Sequence, residues 1–180
     1  MKERIILNTD EIKKTLERMT FEILEKVDNC NDLALIGIQR RGVDLAARIK
    51  DIIKRRTGYD TRLGKLDINL YRDDWTNLSS TPTINSTEIT FSITGKTLIL
   101  VDDVLFTGRT IRSALEALLD FGRPKNIKLL VLIDRGHREL PIHADFVGKK
   151  VNTSLSEKVD VLTQERDSID EVLLLEAEDE

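Results

Sequence analysis

Cysteine is nearly missing: Cys30 stands alone among 180 residues, and a single thiol excludes an internal disulfide framework. That usage fits a reducing compartment, so a cytoplasmic location is expected. No cysteine or histidine neighbours Cys30, so nothing there suggests a metal site. Long apolar runs are missing as well. The longest, LLVLI at 129–133, is far too short to span a bilayer, so no membrane partner is expected. The start, MKERIILNTDEIKK, sets acids among its apolar residues and does not read as a secretion signal. An excess of positive charge is also lacking. The net charge is −4, so any nucleic-acid contact requires a local basic face. What remains is 40% hydrophobic and 33% charged residues over a length that closes one core, so a single domain over 1–180 is expected.

Periodicity supplies the elements. Residues 8–27 open with Asn8, Thr9 and Asp10 as caps, and Ile12, Leu16, Met19, Ile23 and Val27 recur at helical spacing. DLALIGI (32–38) is a continuous apolar run that suits a buried parallel strand. QRRG follows it, and then an amphipathic helix over 43–56. TRLGKLDINLY (61–71) alternates like a strand. The segment 72–95 is long, polar and rich in Ser, Thr and Asn, which points to a functional flap, with 89–93 able to pair as a hairpin. KTLILV (96–101) predicts a buried strand and 110–122 a helix stopped by Gly122 and Pro124. A strand over 126–135, ADFVGKKV (144–151) and one or two closing strands complete the pattern. Alternating strands and helices predict an α/β fold, a mostly parallel sheet with helices on both faces.

The chemistry concentrates in LILVDDVLFTGRT (98–110). Asp102 and Asp103 close a strand, and Thr-Gly-Arg-Thr precedes a helix, where ligands of open α/β sheets bind. Free amides and the positive end of the helix dipole attract an anion there. Gly108 admits close backbone approach, and Thr107 and Thr110 offer hydroxyl donors. No Gly-Lys-Ser/Thr follows and no GxGxxG is present, so this is neither a Walker loop nor a dinucleotide fingerprint. Adjacent carboxylates beside a phosphate site suit a ribose 5-phosphate. The acids accept hydrogen bonds from the vicinal hydroxyls and favour positive charge on the ring as an anomeric leaving group departs.

This stretch resembles the phosphoribosyl pyrophosphate (PRPP) motif of type I phosphoribosyltransferases. With GIQRRG (37–42), GKLDINLYRDD (64–74), the run 121–142 that contains DRGHRELPI, and 144–159, the chain resembles the PyrR family, pyrimidine-operon attenuation regulators that are also uracil phosphoribosyltransferases. The resemblance implies a type I phosphoribosyltransferase fold with a flexible flap at about 72–94 and a small hood carrying base-binding segments at about 134–162. It implies that Asp102 and Asp103 are the ribose-hydroxyl acids and that Val104, Leu105, Phe106, Thr107, Gly108, Arg109 and Thr110 form the 5′-phosphate loop. Arg40, Arg41 and Gly42 correspond to the pyrophosphate loop. Arg72 corresponds to a catalytic flap residue closing on pyrophosphate, with Asp73 and Asp74 beside it. Asp134, Arg135, Gly136 and Val159 are the base-binding candidates. Magnesium, bound mainly through PRPP oxygens, is the implied cofactor, its protein ligands unassigned.

The family's second activity implies UMP- or UTP-dependent binding of pyrimidine operon leader mRNA, with Arg18, Lys26, His137, Arg138 and Lys149 as the RNA candidates and Lys150 and the run 54–56 as weaker ones. At Glu17, Phe21 and His143 this chain departs from the better-known attenuators, replacing donors or adding a charge that repels phosphate. A homodimer or larger homo-oligomer is also implied. Three readings stay open: a uracil phosphoribosyltransferase with or without RNA binding, an RNA regulator with negligible catalysis, and a purine phosphoribosyltransferase.

Overall fold

The structure, a computed structural model, describes residues 2–27, 29–71 and 86–176. The chain opens with β1 (Lys2–Leu7) and α1 (Thr9–Lys26) and then alternates through β2 (Leu33–Ile38), α2 (Arg41–Thr57) and β3 (Arg62–Leu66). Further along come β4 (Thr97–Leu105), α3 (Arg109–Leu119), β5 (Asn126–Asp134) and β6 (Phe146–Lys150). The chain closes with β7 (Lys158–Leu162), the single turn α4 (Gln164–Asp167) and β8 (Glu171–Glu176). Arg72, Asp73 and Asp74 lie outside the described residues.

Five strands form one parallel sheet in the order β3-β2-β4-β5-β6. β2 is buried at every position, which is why it reads as unbroken apolar sequence. Its alternation divides the core. Leu33 and Leu35 face Leu16, Met19, Ile23, Leu45, Ile49 and Ile53 of α1 and α2. Ala34, Ile36 and Ile38 face Ile111, Ala114 and Leu118 of α3. The α1 entry is set by a capping box: the Glu11 amide donates to Asn8 Oδ1 at 3.0 Å, and the Asn8 amide donates to Glu11 Oε2 at 2.9 Å.

The order reverses between β2 and β4. From β2 the chain winds outward through α2 to β3, and from β4 it winds the other way through α3 to β5. Loops leaving the carboxyl ends of β2 and β4 therefore diverge and open a crevice at the switch point.

A second, antiparallel sheet joins the two ends of the chain in the order β1-β8-β7. β1 was not expected: Lys2, Glu3 and Arg4 hide its alternation, and Ile5 remains 57% exposed. Three further expectations are corrected. The strand expected to end at Val101 runs to Leu105, because Val104 and Leu105 pair with Ile133 and Asp134 of β5. Asp102 to Leu105 thus stand on a rigid strand end rather than in a loop. The strand expected to reach Tyr71 ends at Leu66 and gives way to a short 3-10 turn, Asn69–Tyr71. Among the described residues no hairpin forms over 89–93. A single bridge pairs Glu88 with Lys65, and Ile93 is drawn into the core under α3. Among the described residues no helix is long and apolar enough to cross a membrane.

Candidate active site

At the switch point lies a crevice of about 360 Å³, lined by Gln39, Arg40 and Arg41 after β2, by Ile68 and Asn69 after β3, and by Asp102, Asp103, Val104 and Thr110 around the end of β4. Sequence reasoning brought the Arg and Asp residues forward but passed over Ile68 and Asn69. Their only signal was their place within the GKLDINLYRDD stretch. A larger groove of about 620 Å³ separates α1 from α2, yet it holds none of the motif residues, and its Arg48 is paired with Glu165 and Asp170.

Asp102 is buried, and its Oδ1 accepts from the Asp103 amide at 3.0 Å. Burial pushes its carboxyl well above the ordinary value, and the neighbouring Asp103 charge adds to that rise. Asp103 is half-buried, and its Oδ1 accepts from the Val104 amide at 2.8 Å. The site therefore holds crowded, poorly solvated acid that a cation or a pair of hydroxyl donors would relieve.

Residues 106–108 form the loop between β4 and α3. Gly108 is the N-cap of α3 at φ 94°, a left-handed conformation that favours glycine, and as glycine it supplies no capping side chain. Thr107 braces the loop: its Oγ1 accepts from the Arg109 amide at 3.3 Å, and its carbonyl accepts from Glu139 and Leu140 amides. Arg109 points outward to Glu139. α2 likewise starts without a side-chain cap, at Arg40, just after a cis peptide at Gln39–Arg40. Gly42 is there for close packing rather than backbone freedom, since a Cβ at 42 would lie 2.4 Å from the Val101 carbonyl oxygen. Two uncapped helix ends thus converge beside two acids.

Arg41 lies between two carboxylates, 3.5 Å from Asp160 and 3.4 Å from Asp167. Arg40 is exposed at the crevice mouth.

The base-binding candidates divide. Asp134 ends β5, where burial would raise its carboxyl, but Arg138 at 2.6 Å and the Gly136 amide outweigh that and hold it below the ordinary value. Arg135 turns away from the crevice. Its guanidinium donates to the Ser154 and Glu157 carbonyls at 3.0 and 2.7 Å and to Thr153 Oγ1 at 3.2 Å, and it stacks 4.1 Å from the Phe106 ring. It is a post under the loop 153–157, not a group offered to a ligand. Val159 lies on β7, half-buried against the core of α1 and α2.

The RNA candidates fall into two groups. Arg18 of α1 donates to the Val147 and Gly148 carbonyls of β6, Lys26 sits 4.7 Å over the Phe146 ring, and Lys149 donates to the Ile6 carbonyl. These three gather along the α1–β6 edge. His137 and Arg138 instead brace the turn after β5. Arg138 donates to the Phe106, Gly136 and Ile142 carbonyls, and His137 Nε2 lies 2.6 Å from the Thr153 carbonyl. A carbonyl only accepts, so Nε2 is the donor in this contact. Lys150 is exposed at the end of β6. In the 54–56 run, Lys54 pairs with Asp60 and Arg56 stacks on Phe21.

Comparison with known proteins places the chain in a family. The family model described as phosphoribosyl transferase domain matches residues 4–164. The hypoxanthine phosphoribosyltransferase of Staphylococcus aureus superimposes with a TM-score of 0.70 over 97% of this chain and 93% of its own, at 19% identity, a likeness of fold alone. The fold is that of a type I phosphoribosyltransferase. Two relatives are each named bifunctional protein PyrR. The one from Elusimicrobium minutum is 53% identical over 173 residues, 96% of this chain and 97% of that protein. The one from Caldicellulosiruptor bescii is 55% identical over 169 residues, 94% and 93% of the two chains. The chain belongs to the PyrR family.

Proposed function

We propose that the crevice transfers the phosphoribosyl group of PRPP to uracil, giving UMP and pyrophosphate, and that the protein also regulates pyrimidine genes by binding operon leader mRNA in response to UMP or UTP. The observation that carries the catalytic half is the meeting of Asp102 and Asp103 with the uncapped starts of α2 and α3 in one crevice. In this reading the amides at the start of α3, with Thr107 and Thr110, hold the 5′-phosphate. Asp102 and Asp103 take the ribose 2′- and 3′-hydroxyls. Arg40 and Arg41, with the start of α2, take the pyrophosphate. The bond from the anomeric carbon to pyrophosphate breaks with its electron pair on pyrophosphate, N1 of uracil supplies the electron pair for the new bond, and the N1 proton passes to solvent water. The two carboxylates stabilise the positive charge that develops on the ring.

Magnesium fits the donor set. The adjacent carboxylates of Asp102 and Asp103 lie in the crevice, and oxygen donors of this kind suit a hard divalent cation. Asp102 and Asp103 would hold it, and it supplies neutralisation of the departing pyrophosphate.

The chain acts as one phosphoribosyltransferase unit. The small β1-β8-β7 sheet and the loop 153–157 serve as its hood, and Asp134 and Gly136 are the groups assigned to the base. Arg72, outside the described residues, keeps its assigned role in closing the flap. RNA binding falls to the α1–β6 edge. A cytoplasmic setting and self-association accompany this reading. Uracil, hypoxanthine, xanthine and guanine offered together with magnesium and PRPP should yield UMP. Purine nucleotides without UMP would overturn the base assignment. A gel shift with the operon leader should sharpen on adding UMP, and no nucleotide-dependent shift at low salt would remove the regulatory half.

A further inference from the structure

One face of α2 presents Arg41, Asp44 and Arg48, spaced by three and four residues, to the turn between β7 and β8. Arg48 answers Glu165 and Asp170, and Arg41 answers Asp160 and Asp167. The middle rung differs in sense, because here the acid is on the helix. Asp44 is buried in the first turn of α2, the very helix end that would receive pyrophosphate, where an uncompensated negative charge would repel it. Arg166 covers it. Its Nε donates to Asp44 Oδ2 at 2.6 Å and its Nη2 to Oδ1 at 3.3 Å, while Thr163 Oγ1 donates to Oδ2 at 3.2 Å. The same Nη2 lies 3.4 Å from the Arg40 carbonyl, on the loop itself.

Building on the functional reading above, we propose that Arg166 is a positioning residue for the pyrophosphate subsite: it cancels the Asp44 charge and ties the Arg40 peptide to the hood. No atom of Arg166 needs to touch substrate. The role is specific to the pyrophosphate end, because UMP carries no group there.

The test is calorimetric titration of the full chain, without uracil, using magnesium-PRPP and separately UMP. R166Q should weaken PRPP by about tenfold, the scale of one charged hydrogen bond, and leave UMP affinity within about twofold. R166K should stay within about threefold of wild type for PRPP. The double variant D44N/R166Q should regain most of the lost PRPP affinity, since the uncovered charge is gone. Unchanged PRPP affinity in R166Q, or PRPP and UMP weakened together, would overturn the proposal, as would a double variant no better than R166Q. A wild-type chain that binds neither ligand would instead overturn the functional reading on which the proposal rests.

Discussion

Substituting Gly42 by alanine probes the geometry most sharply. The new Cβ would lie 2.4 Å from the Val101 carbonyl oxygen and 3.2 Å from the Asp102 Cα, both backbone atoms of β4. Reaching ordinary contact requires the start of α2 to move about 1 Å from β4. That movement separates the two halves of the crevice, Arg40 and Arg41 on one side and Asp102 and Asp103 on the other. Overpacking of this kind costs about 1–3 kcal/mol of stability. A displacement of about 1 Å between groups that must meet on one substrate costs about a hundredfold in rate. Steady-state kinetics with varied PRPP, paired with thermal melting, should therefore show kcat/KM reduced about a hundredfold in a protein that still melts cooperatively, some degrees lower. A Gly42→Ala enzyme with kcat/KM within about threefold of wild type would refute the idea that this contact sets the crevice.

Asp103→Asn should lower turnover by about a hundredfold with a stability change below about 1 kcal/mol, measured by kinetics and melting, since a half-buried acid carries little of the fold. Asp102→Asn should abolish turnover yet raise the melting temperature at neutral pH. The Asp102 carboxyl is raised in the folded chain, so the fold binds the extra proton and wild type loses stability as pH climbs from the ordinary value of 3.8 through that raised value. The advantage of the variant should thus vanish below the ordinary value, and a pH-independent difference in melting would contradict this. Arg135→Ala leaves the Ser154 and Glu157 carbonyls without their donor and should cost about 3 kcal/mol in denaturant unfolding while raising the KM for uracil.

The elements whose burial is complete were the most legible in sequence. β2 reads as a strand because both its faces are covered, and α1 because its cap and apolar spacing agree. That Asp102, Asp103 and Thr110 share one neighbourhood with Arg40 and Arg41 was legible from the motifs after β2 and β4, because close backbone approach demands particular residue types. β1 escaped because its pairing is with β8, at the far end of the chain, and its charged start masks the alternation. The strand extension to Leu105 depends on pairing with β5, a contact between segments far apart in sequence. Arg135 and Arg138 looked like ligand groups, yet most of their donors go to backbone carbonyls of distant loops. The Asp44–Arg166 pair joins positions 122 residues apart, and no local pattern announces it.

A crystal structure of the protein with magnesium-PRPP or UMP tests the central claim directly. The ribose hydroxyls should lie within hydrogen-bond distance of Asp102 and Asp103, and the 5′-phosphate should rest on residues 106–110. A sugar bound away from the β4 end, or a phosphate held anywhere but the start of α3, would contradict the account.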